Sequence, residues 1–249
     1  MSDTTGDDSS NIAGKQIKML EEFTYQIFPL GDSAATVQLG NTINEAINKR
    51  IIALFHHLKN NPIEGCREIV PAYNSFTVYF DILIIKQKHS VGSAFDFVKR
   101  KLEEVLAIPI RYTEKESSLM RIPVLYNSDG LGFIAEEKKL SVEEIIEIHS
   151  SVEYRVYMSG FLPGFAYMGE VDERIAVGRN DKPSRIEAGS VGIAGRQTGI
   201  YPFHSPGGWH IIGRTPLKIF DSKKEVPALL QAGDRVQFYP ITAHEFTDY

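Results

Sequence analysis

Cysteine and long apolar runs are scarce in this sequence, and each scarcity excludes a class of protein. A single cysteine, Cys66, can form neither an internal disulfide nor a thiolate metal cluster within one chain. No window approaches the roughly 18 consecutive apolar residues of a transmembrane helix. Residues 1–22 lack the basic start and apolar run of a secretory signal, and we interpret them as a disordered leader. We therefore expect a cytoplasmic protein with no membrane partner.

Basic residues are also outnumbered, with 27 Lys and Arg against 32 Asp and Glu and a formal net charge of −5. A mild excess of acid without a Lys/Arg run argues against nucleic acid as a partner. The seven histidines are scattered and form no metal-binding spacing, so no metal site is expected in this chain. No phosphate loop ending in Gly-Lys-Ser/Thr occurs, so any ATP is expected on a partner chain.

Apolar periodicity predicts a small amino-terminal α/β domain over residues 23–110. Helical spacing predicts one helix over 42–60, where Thr42 and Glu45 fit a capping box, and a second over about 90–106. The runs "FTYQIFPLGDSAATVQLG", "REIVPAY" and "SFTVYFD" read as short strands. The order β-β-α-β-β-α predicts two helices on one face of a mainly antiparallel sheet.

The second half, residues 111–249, is predicted to be a β-barrel domain, which makes the fold class α+β. The strand "RIPVLY" and a helix from Ser141 to about Val152, with Ser141 and Glu144 in capping-box register, come first. Residues 159–216 then hold eleven of the twenty glycines and five of the twelve prolines, between short apolar runs. Long helices do not survive that glycine density, so we expect many short, curved strands. The domain boundary is expected near 108–118.

The glycine-rich segment also concentrates side chains that suit a ligand site. The stretch "YPFHSPGGWHIIGRTP" (201–216) contains the only tryptophan, two adjacent glycines and an arginine. Residues 155–216 carry seven bases and five acids, a local charge of +2, and guanidinium groups bind carboxylates and phosphates through two parallel hydrogen bonds. We expect a small anionic ligand here. The aromatic set equally fits a barrel core or a docking surface for another protein; it comprises Phe161, Phe165, Tyr167 and Trp209.

Three weaker signals have plainer explanations. Gly130, Gly132 and Ala135 fit a relaxed dinucleotide-binding pattern, but without a parallel βαβ unit they are better explained as a turn before a helix. His204 and Ser205 are neighbours, and neighbours on a strand point to opposite faces, which argues against a nucleophile and its base. His210 is ambiguous, because it also fits a residue that merely flanks Trp209.

Longer motifs carry a family resemblance. "EYRVYMSGFLPGFAYMG", "AGSVGIAGRQTGIYPFHSPGGWHIIGRTPLKIFD" and "AGDRVQFYPI", with the earlier "PLGDSAATVQLG" and "VPAYNSFTVYFD", resemble one family over about Tyr25 to Ile241. It contains the B subunit of bacterial 5-oxoprolinase, the histidine-kinase inhibitor KipI and the proteins labelled as the first subunit of allophanate hydrolase. The sequence departs from the family at Gly195 and Arg196 and in the stretches 176–187 and 128–137.

The resemblance implies a cyclophilin-like β-barrel after the α/β domain, and a B subunit that is inactive alone. Together with the A and C subunits of 5-oxoprolinase it would convert 5-oxoproline and ATP to glutamate, ADP and phosphate. The alternative is a KipI-like inhibitor that binds a sensor histidine kinase and blocks autophosphorylation. A prolyl isomerase rests on fold analogy alone and lacks the matching arginine and aromatic arrangement.

The catalytic residues are not assigned by the resemblance. Arg155, Arg185 and Arg214, with the amides around Gly207 and Gly208, are our candidates for holding the substrate carboxylate or a transferring phosphoryl group. The complete substrate-binding set that we predict comprises Arg155, Phe161, Pro163, Phe165, Arg185, Gln197, Thr198, Gly207, Gly208, Trp209 and Arg214.

Overall fold

The computed structural model describes residues 24–42, 44–110 and 119–249, which divide into two compact units. The first runs to residue 110 and the second begins at residue 119. The predicted leader (1–22) and most of the predicted boundary lie outside the described residues. The domain limits 23–110 and 111–249 therefore stay predictions, whereas the α+β class is confirmed by the mixed element content.

The first unit is a four-stranded antiparallel sheet with strand order β1-β2-β4-β3. Its elements are β1 (Tyr25–Pro29), β2 (Ala34–Leu39), α1 (Glu45–Asn60), β3 (Cys66–Pro71), β4 (Ser75–Phe80), α2 (Ile82–Lys88) and α3 (Ala94–Leu106). Alternate residues of β2 and β4, such as Val37 and Val78, join Leu54 of α1 and Leu102 of α3 in one buried cluster. Because strand side chains alternate between faces, α1 and α3 cover the same face, as predicted.

The helix starts of this unit differ from the prediction. Helix α1 is capped by Asn44, whose side-chain oxygen accepts from the amides of Ala46 at 2.8 Å and Ile47 at 3.3 Å. Glu45 is thus the first helical residue, and the Thr42 capping box is wrong because a box needs its Glu at the third helical position. The second predicted helix begins at 94 rather than 90. Helix α2 was not predicted, because its four leading apolar residues show no helical period.

The second unit is an almost closed barrel with strand order β12-β9-β10-β7-β6-β13-β5. A bridge between Leu125 and Arg214 links its two ends. All neighbours are antiparallel except β13 and β5, and β8 pairs with β11 in a separate small sheet. The elements are β5 (Met120–Val124), α4 (Asp129–Lys138), α5 (Val142–Ser150), β6 (Glu153–Ser159), β7 (Ala166–Gly169), β8 (Ser184–Ile186), β9 (Ser190–Ala194), β10 (Gln197–Ile200), β11 (Ser205–Gly207), β12 (His210–Arg214), β13 (Arg235–Pro240) and α6 (Ala243–Thr247).

The helix that begins after Ser141 and the β-rich region that follows it are both confirmed in the second unit. Ser141 caps α5 in a capping box: its hydroxyl accepts from the Glu144 amide at 3.1 Å, and the Glu144 carboxylate accepts from the Ser141 amide at 2.7 Å. From β6 to β12 the described chain contains strands and no helix. Glycine therefore marks the curved β region, as expected from its cost inside helices.

A buried polar chain crosses the barrel interior. His149 is fully buried, and its Nδ1 lies 2.8 Å from the Tyr126 hydroxyl while its Nε2 lies 3.0 Å from Thr198 Oγ1. The Thr198 hydroxyl donates to the Gly192 carbonyl at 3.1 Å, and Phe238 stacks on the imidazole at 4.7 Å between ring centroids. Because burial disfavours the charged imidazolium, the pKa of His149 falls to about 3.

Acid is expected to destabilise the barrel through His149. The folded-state pKa lies below the unfolded value of about 6.5, so the unfolded chain binds the proton first as pH falls. The stability that neutral His149 contributes to folding is present above pH 6.5 and is lost progressively toward pH 3. About 2 kcal/mol of the free energy of unfolding is lost between pH 6.5 and 5. Urea unfolding followed by the fluorescence of the single tryptophan, Trp209, measures this. A His149→Gln variant should be less stable at pH 7 and lack this one-proton slope, whereas exposed His56→Asn should keep it.

Candidate functional site

An open cleft of about 690 Å³ lies in the second unit, between the start of α4 and strands β8 and β12. Its volume is in the range of small-molecule sites. Its lining combines two arginines, two carboxylates, a histidine, several amide and hydroxyl side chains and large apolar side chains. These residues are Asn127, Ser128, Asp129, Gly130, Phe133, Asn180, Ser184, Arg185, Ile186, Glu187, Ser190, Trp209, His210, Ile211 and Arg214.

Glycine forms the wall where α4 meets β12. Ser128 precedes the helix in an extended conformation, with φ −106° and ψ 155°, and Gly130 lies in the first helical turn. A Cβ added to Gly130 would lie 2.3 Å from the Ile211 carbonyl oxygen and 2.8 Å from the Ile211 amide nitrogen. Only a residue without a side chain permits this approach, so Gly130 brings the start of α4 against the strand that carries His210 and Arg214.

The rim of the cleft carries balanced charges. Arg214 Nε donates to the Ala188 carbonyl at 2.8 Å, which fixes that guanidinium at the rim. Glu187 pairs with His204, with 3.0 Å between its Oε2 and Nδ1. Within the described ranges, Arg185 and Asp129 make no ion pair and no side-chain hydrogen bond, although both line the cleft. The Arg185 guanidinium is therefore available to the carboxylate of a ligand. The Asp129 carboxylate, in the same cleft, is available to a hydrogen-bond donor of a ligand.

The floor of the cleft rests on an aromatic cluster. Trp209 is only 4% exposed and meets Phe165 edge to face, with ring centroids 5.4 Å apart. Tyr201 contacts Phe165 at 5.1 Å, and burial raises the pKa of its phenol to about 12. A Cβ on Gly207 would lie 2.5 Å from the Tyr201 hydroxyl, so this glycine also makes room for the cluster. Interlocked rings of this kind hold Trp209 in one orientation.

His210 follows Trp209 and is 5% exposed. Its imidazole stacks on Phe133 of α4, with centroids 4.2 Å apart and an interplanar angle of 14°. Burial lowers the pKa of His210 below its usual value. The imidazole is therefore neutral at physiological pH.

Three of the predicted site residues, Arg185, Trp209 and Arg214, meet in the cleft. Gly207 and Gly208 lie just before Trp209, but the Gly208 carbonyl already accepts from the Asn180 amide at 2.8 Å. Their predicted ligand-binding amides stay a prediction.

The other predicted residues lie outside the cleft lining. Phe165 supports Trp209 from within the core, and Phe161 is 61% exposed with a positive φ of 70°. Thr198 is fully buried and bonded to His149. The remaining three are Arg155, buried on β6, exposed Pro163 and half-buried Gln197. For these residues the substrate contacts stay predictions.

Several cleft residues carry no strong signal in the sequence. Residues 127–130 precede and open α4, and Phe133 follows one turn later. Their only local signal is the turn before a helix in "SDGLGFIA". Nothing in sequence order indicates that this helix start meets β12, more than 80 positions later.

Metal sites and membrane spans do not occur in the described ranges. Among residues 24–42, 44–110 and 119–249, no group of three or more His, Cys, Asp or Glu side chains is placed to hold a metal ion. In those ranges, too, no helix has both the length and the apolar character needed to cross a membrane.

Arg196 lies where the sequence departs from the family. It pairs with Glu170 at 2.7 Å and with Glu173 at 2.9 Å, so this arginine is engaged in surface ion pairs.

Comparison with known proteins gives a consistent result. Residues 25–230 match the family model described as carboxyltransferase domain, subdomain C and D. The B subunit of 5-oxoprolinase from Bacillus subtilis is 42% identical over 232 residues, which cover 90% of this chain and 96% of that protein. The corresponding B subunit from Escherichia coli O157:H7 is 38% identical over 216 residues, which cover 85% of this chain and 94% of that protein.

A solved structure shares the fold. The crystal structure of TTHA0988 aligns with a TM-score of 0.72 at 32% identity and covers 88% of this chain. This chain spans only 41% of TTHA0988, so that protein carries a further region of greater length. The likeness confirms the α+β fold class.

Proposed function

We propose that this chain, which belongs to the carboxyltransferase subdomain C and D family, is the B subunit of a 5-oxoprolinase. The observation that carries the proposal is 42% identity across 96% of such a B subunit, because so complete a match includes the cleft and its supporting elements. Family membership alone does not fix an activity. The chemistry of the cleft supplies the second argument.

The cleft suits the substrate 5-oxoproline, a five-membered lactam that carries one carboxylate. Arg185 offers an unpaired guanidinium, and Arg214, which lines the same cleft, is held in place by the Ala188 carbonyl. Trp209 and Ile211 offer apolar surface to the ring. In this proposal the arginines hold the carboxylate and leave the lactam group facing the polar start of α4.

ATP fits this cleft poorly. Its triphosphate carries several negative charges, whereas the rim balances two arginines with two carboxylates, Asp129 and Glu187. No phosphate-binding loop of the Gly-Lys-Ser/Thr type occurs in the sequence either. We therefore place ATP on the A or C chain of the assembly. Its chemical contribution would be to phosphorylate the lactam oxygen, which makes the ring carbon open to attack by water.

The test is reconstitution. The chain is purified with the A and C subunits of a 5-oxoprolinase, and glutamate released from 5-oxoproline is measured with and without ATP. We expect release only when all chains and ATP are present. Absence of release from a folded, fully assembled complex would reject the proposal.

The kinase-inhibitor alternative calls for an exposed aromatic patch rather than a polar cleft. In the described chain Phe161 is 61% exposed, but Phe165 at 1% and Trp209 at 4% are buried. This burial favours the role in 5-oxoprolinase. The kinase-inhibitor alternative is tested by measuring whether the purified chain inhibits the autophosphorylation of a sensor histidine kinase.

A further inference from the structure

We propose that Ser190 is a substrate-binding residue whose hydroxyl donates to the carboxylate of 5-oxoproline beside Arg214, so that these two residues form the carboxylate subsite of the cleft. The inference rests on the proposed function and adds a residue contact to it. It follows from the burial of Ser190, from the direction of its side chain, from its hydrogen bonds and from the register of β9 with β12.

Ser190 is the first residue of β9, and its backbone is held in place at the edge of the cleft. The residue lines the cleft although it is only 5% exposed. Its amide donates to the Glu187 carbonyl at 3.2 Å, and its carbonyl accepts from the Tyr201 amide at 2.8 Å. Because both backbone groups are engaged, the side chain of Ser190 leaves the strand in a fixed direction.

Strand alternation turns this side chain away from the barrel core. Val191 and Ile193, the neighbours at odd positions, belong to the buried core cluster of the barrel. Ser190 and Gly192 therefore face the opposite side of β9. A Cβ added to Gly192 would lie 3.0 Å from Cδ1 of Ile211, which lines the cleft. The side chain of Ser190 thus points to the cleft side of the strand.

The hydroxyl of Ser190 has no hydrogen-bond partner among residues 24–42, 44–110 and 119–249. In the same ranges, Ser205 Oγ is the only fully enclosed side-chain nitrogen or oxygen atom without a partner. The Ser190 hydroxyl, which also lacks a partner there, is therefore not enclosed and reaches the cleft. A largely buried hydroxyl has lost hydration without gaining a protein partner, and a ligand group that accepts from it supplies the hydrogen bond.

Arg214 lies directly across from Ser190. The two are paired residues of β12 and β9, so their side chains share a face and their Cβ atoms are about 5 Å apart. Arg214 Nε donates to the Ala188 carbonyl at 2.8 Å, and its guanidinium carbon lies 5.9 Å from the centroid of the Phe246 ring. These contacts hold the guanidinium and, within the described chain, leave the N–H groups of its two terminal nitrogens to a ligand.

A carboxylate satisfies both residues at once. It offers two oxygens with about four acceptor positions, so one oxygen accepts from the Ser190 hydroxyl while the other accepts from Arg214. Arg185 lines the same cleft and strengthens its preference for an anion. In 5-oxoproline the carboxylate is the only anionic group, and it projects from the ring carbon next to the lactam nitrogen. The subsite therefore holds the substrate by this group.

The experiment uses the full chain assembled with the A and C subunits and measures glutamate release at varied 5-oxoproline concentrations. We expect Ser190→Ala to raise KM roughly 10- to 100-fold, the value of one hydrogen bond to a charged group, and to leave kcat within about 2-fold. A change in KM alone marks a contact made equally with the bound substrate and with the transition state. The midpoint of thermal unfolding should not fall, because the substitution breaks no hydrogen bond of the described chain.

Ser205→Ala is the matched control. Ser205 is also buried, at 8% exposed, and its hydroxyl also has no partner in the described ranges, but it lies outside the cleft lining. Its replacement should leave both KM and kcat unchanged. The comparison separates contact with the substrate from the general effect of removing a buried hydroxyl.

A double-mutant cycle with Arg214→Ala tests whether the two residues hold the same group. If they share the carboxylate, Ser190→Ala should raise KM less than about 3-fold once Arg214 has been replaced. The thermal midpoints of the same four proteins should change additively, because the Ser190 hydroxyl makes no hydrogen bond to Arg214. Coupling in KM without coupling in stability is the result expected for a shared ligand group.

Contrary results separate the inference from the proposed function. In an active assembly, an unchanged KM in Ser190→Ala, an equal rise in Ser205→Ala, or additive effects on KM with Arg214→Ala reject the subsite and leave the proposed function standing. A lower kcat at unchanged KM in Ser190→Ala also rejects the binding role. Absence of glutamate release from the wild-type assembly rejects the proposed function together with the inference.

Discussion

Arg185→Ala is expected to lower kcat/KM for 5-oxoproline about 100-fold in the assembled enzyme, the usual size of losing a charge-assisted, bidentate contact. Arg185 lies on β8, lines the cleft and has no side-chain partner in the described part of the chain. The substitution therefore breaks no contact of the folded protein. The midpoint of thermal unfolding should stay within about 1 °C of wild type, since exposed substitutions of this kind change stability little.

Matched variants sharpen this result. Arg185→Lys keeps the charge but loses the two-pronged geometry, so we expect a loss of about 10-fold. Arg214→Ala should also lower kcat/KM, with some loss of stability because the contact with the Ala188 carbonyl disappears. Arg235→Ala is the control: this arginine of β13 pairs with Glu153 of β6 at 3.4 Å and lies outside the cleft lining. Equal kcat/KM in Arg185→Ala and Arg235→Ala would remove Arg185 from the site.

Local rules predicted those elements whose signals lie within a few residues. The Ser141–Glu144 capping box was correct because both partners belong to the same turn. The same rule failed at Thr42, where Asn44 lies two residues later and caps the helix instead. A capping motif thus locates a helix start only when no other good cap lies beside it.

The cleft shows a second limit of prediction from sequence. Arg185, Trp209 and Arg214 were found from composition, because glycine, proline and aromatic residues cluster around them in the sequence. His210 was ambiguous, since it packs against Phe133 of α4, and no local pattern connects these two positions. Thr198 lies in the same rich segment, yet strand alternation turns it into the barrel interior. Composition therefore indicates which segment of the sequence contributes to the cleft, whereas tertiary contacts determine which of its residues line the cleft.

Gly130→Ala is expected to destabilise the barrel unit by about 3 kcal/mol, in the range of substitutions that force backbone to move. The new Cβ would lie 2.3 Å from the Ile211 carbonyl oxygen, and backbone atoms cannot swing aside as a flexible side chain can. Helix α4 must therefore shift away from β12. Because this junction carries Ser128 on one side and His210 on the other, we also expect 5-oxoproline affinity to fall at least about 10-fold.

Gly132→Ala is the matched control, two residues later in the same helix. A Cβ there meets no atom within 4 Å, and alanine is a better helix former than glycine, so this variant should gain about 0.5–1 kcal/mol. Urea unfolding followed by Trp209 fluorescence compares the two. Changes of opposite sign in the free energy of unfolding would establish that close backbone contact, rather than helix propensity, requires glycine at position 130. Stabilisation by both substitutions would mean that α4 does not need to touch β12, and the cleft wall built on that contact would have to be abandoned.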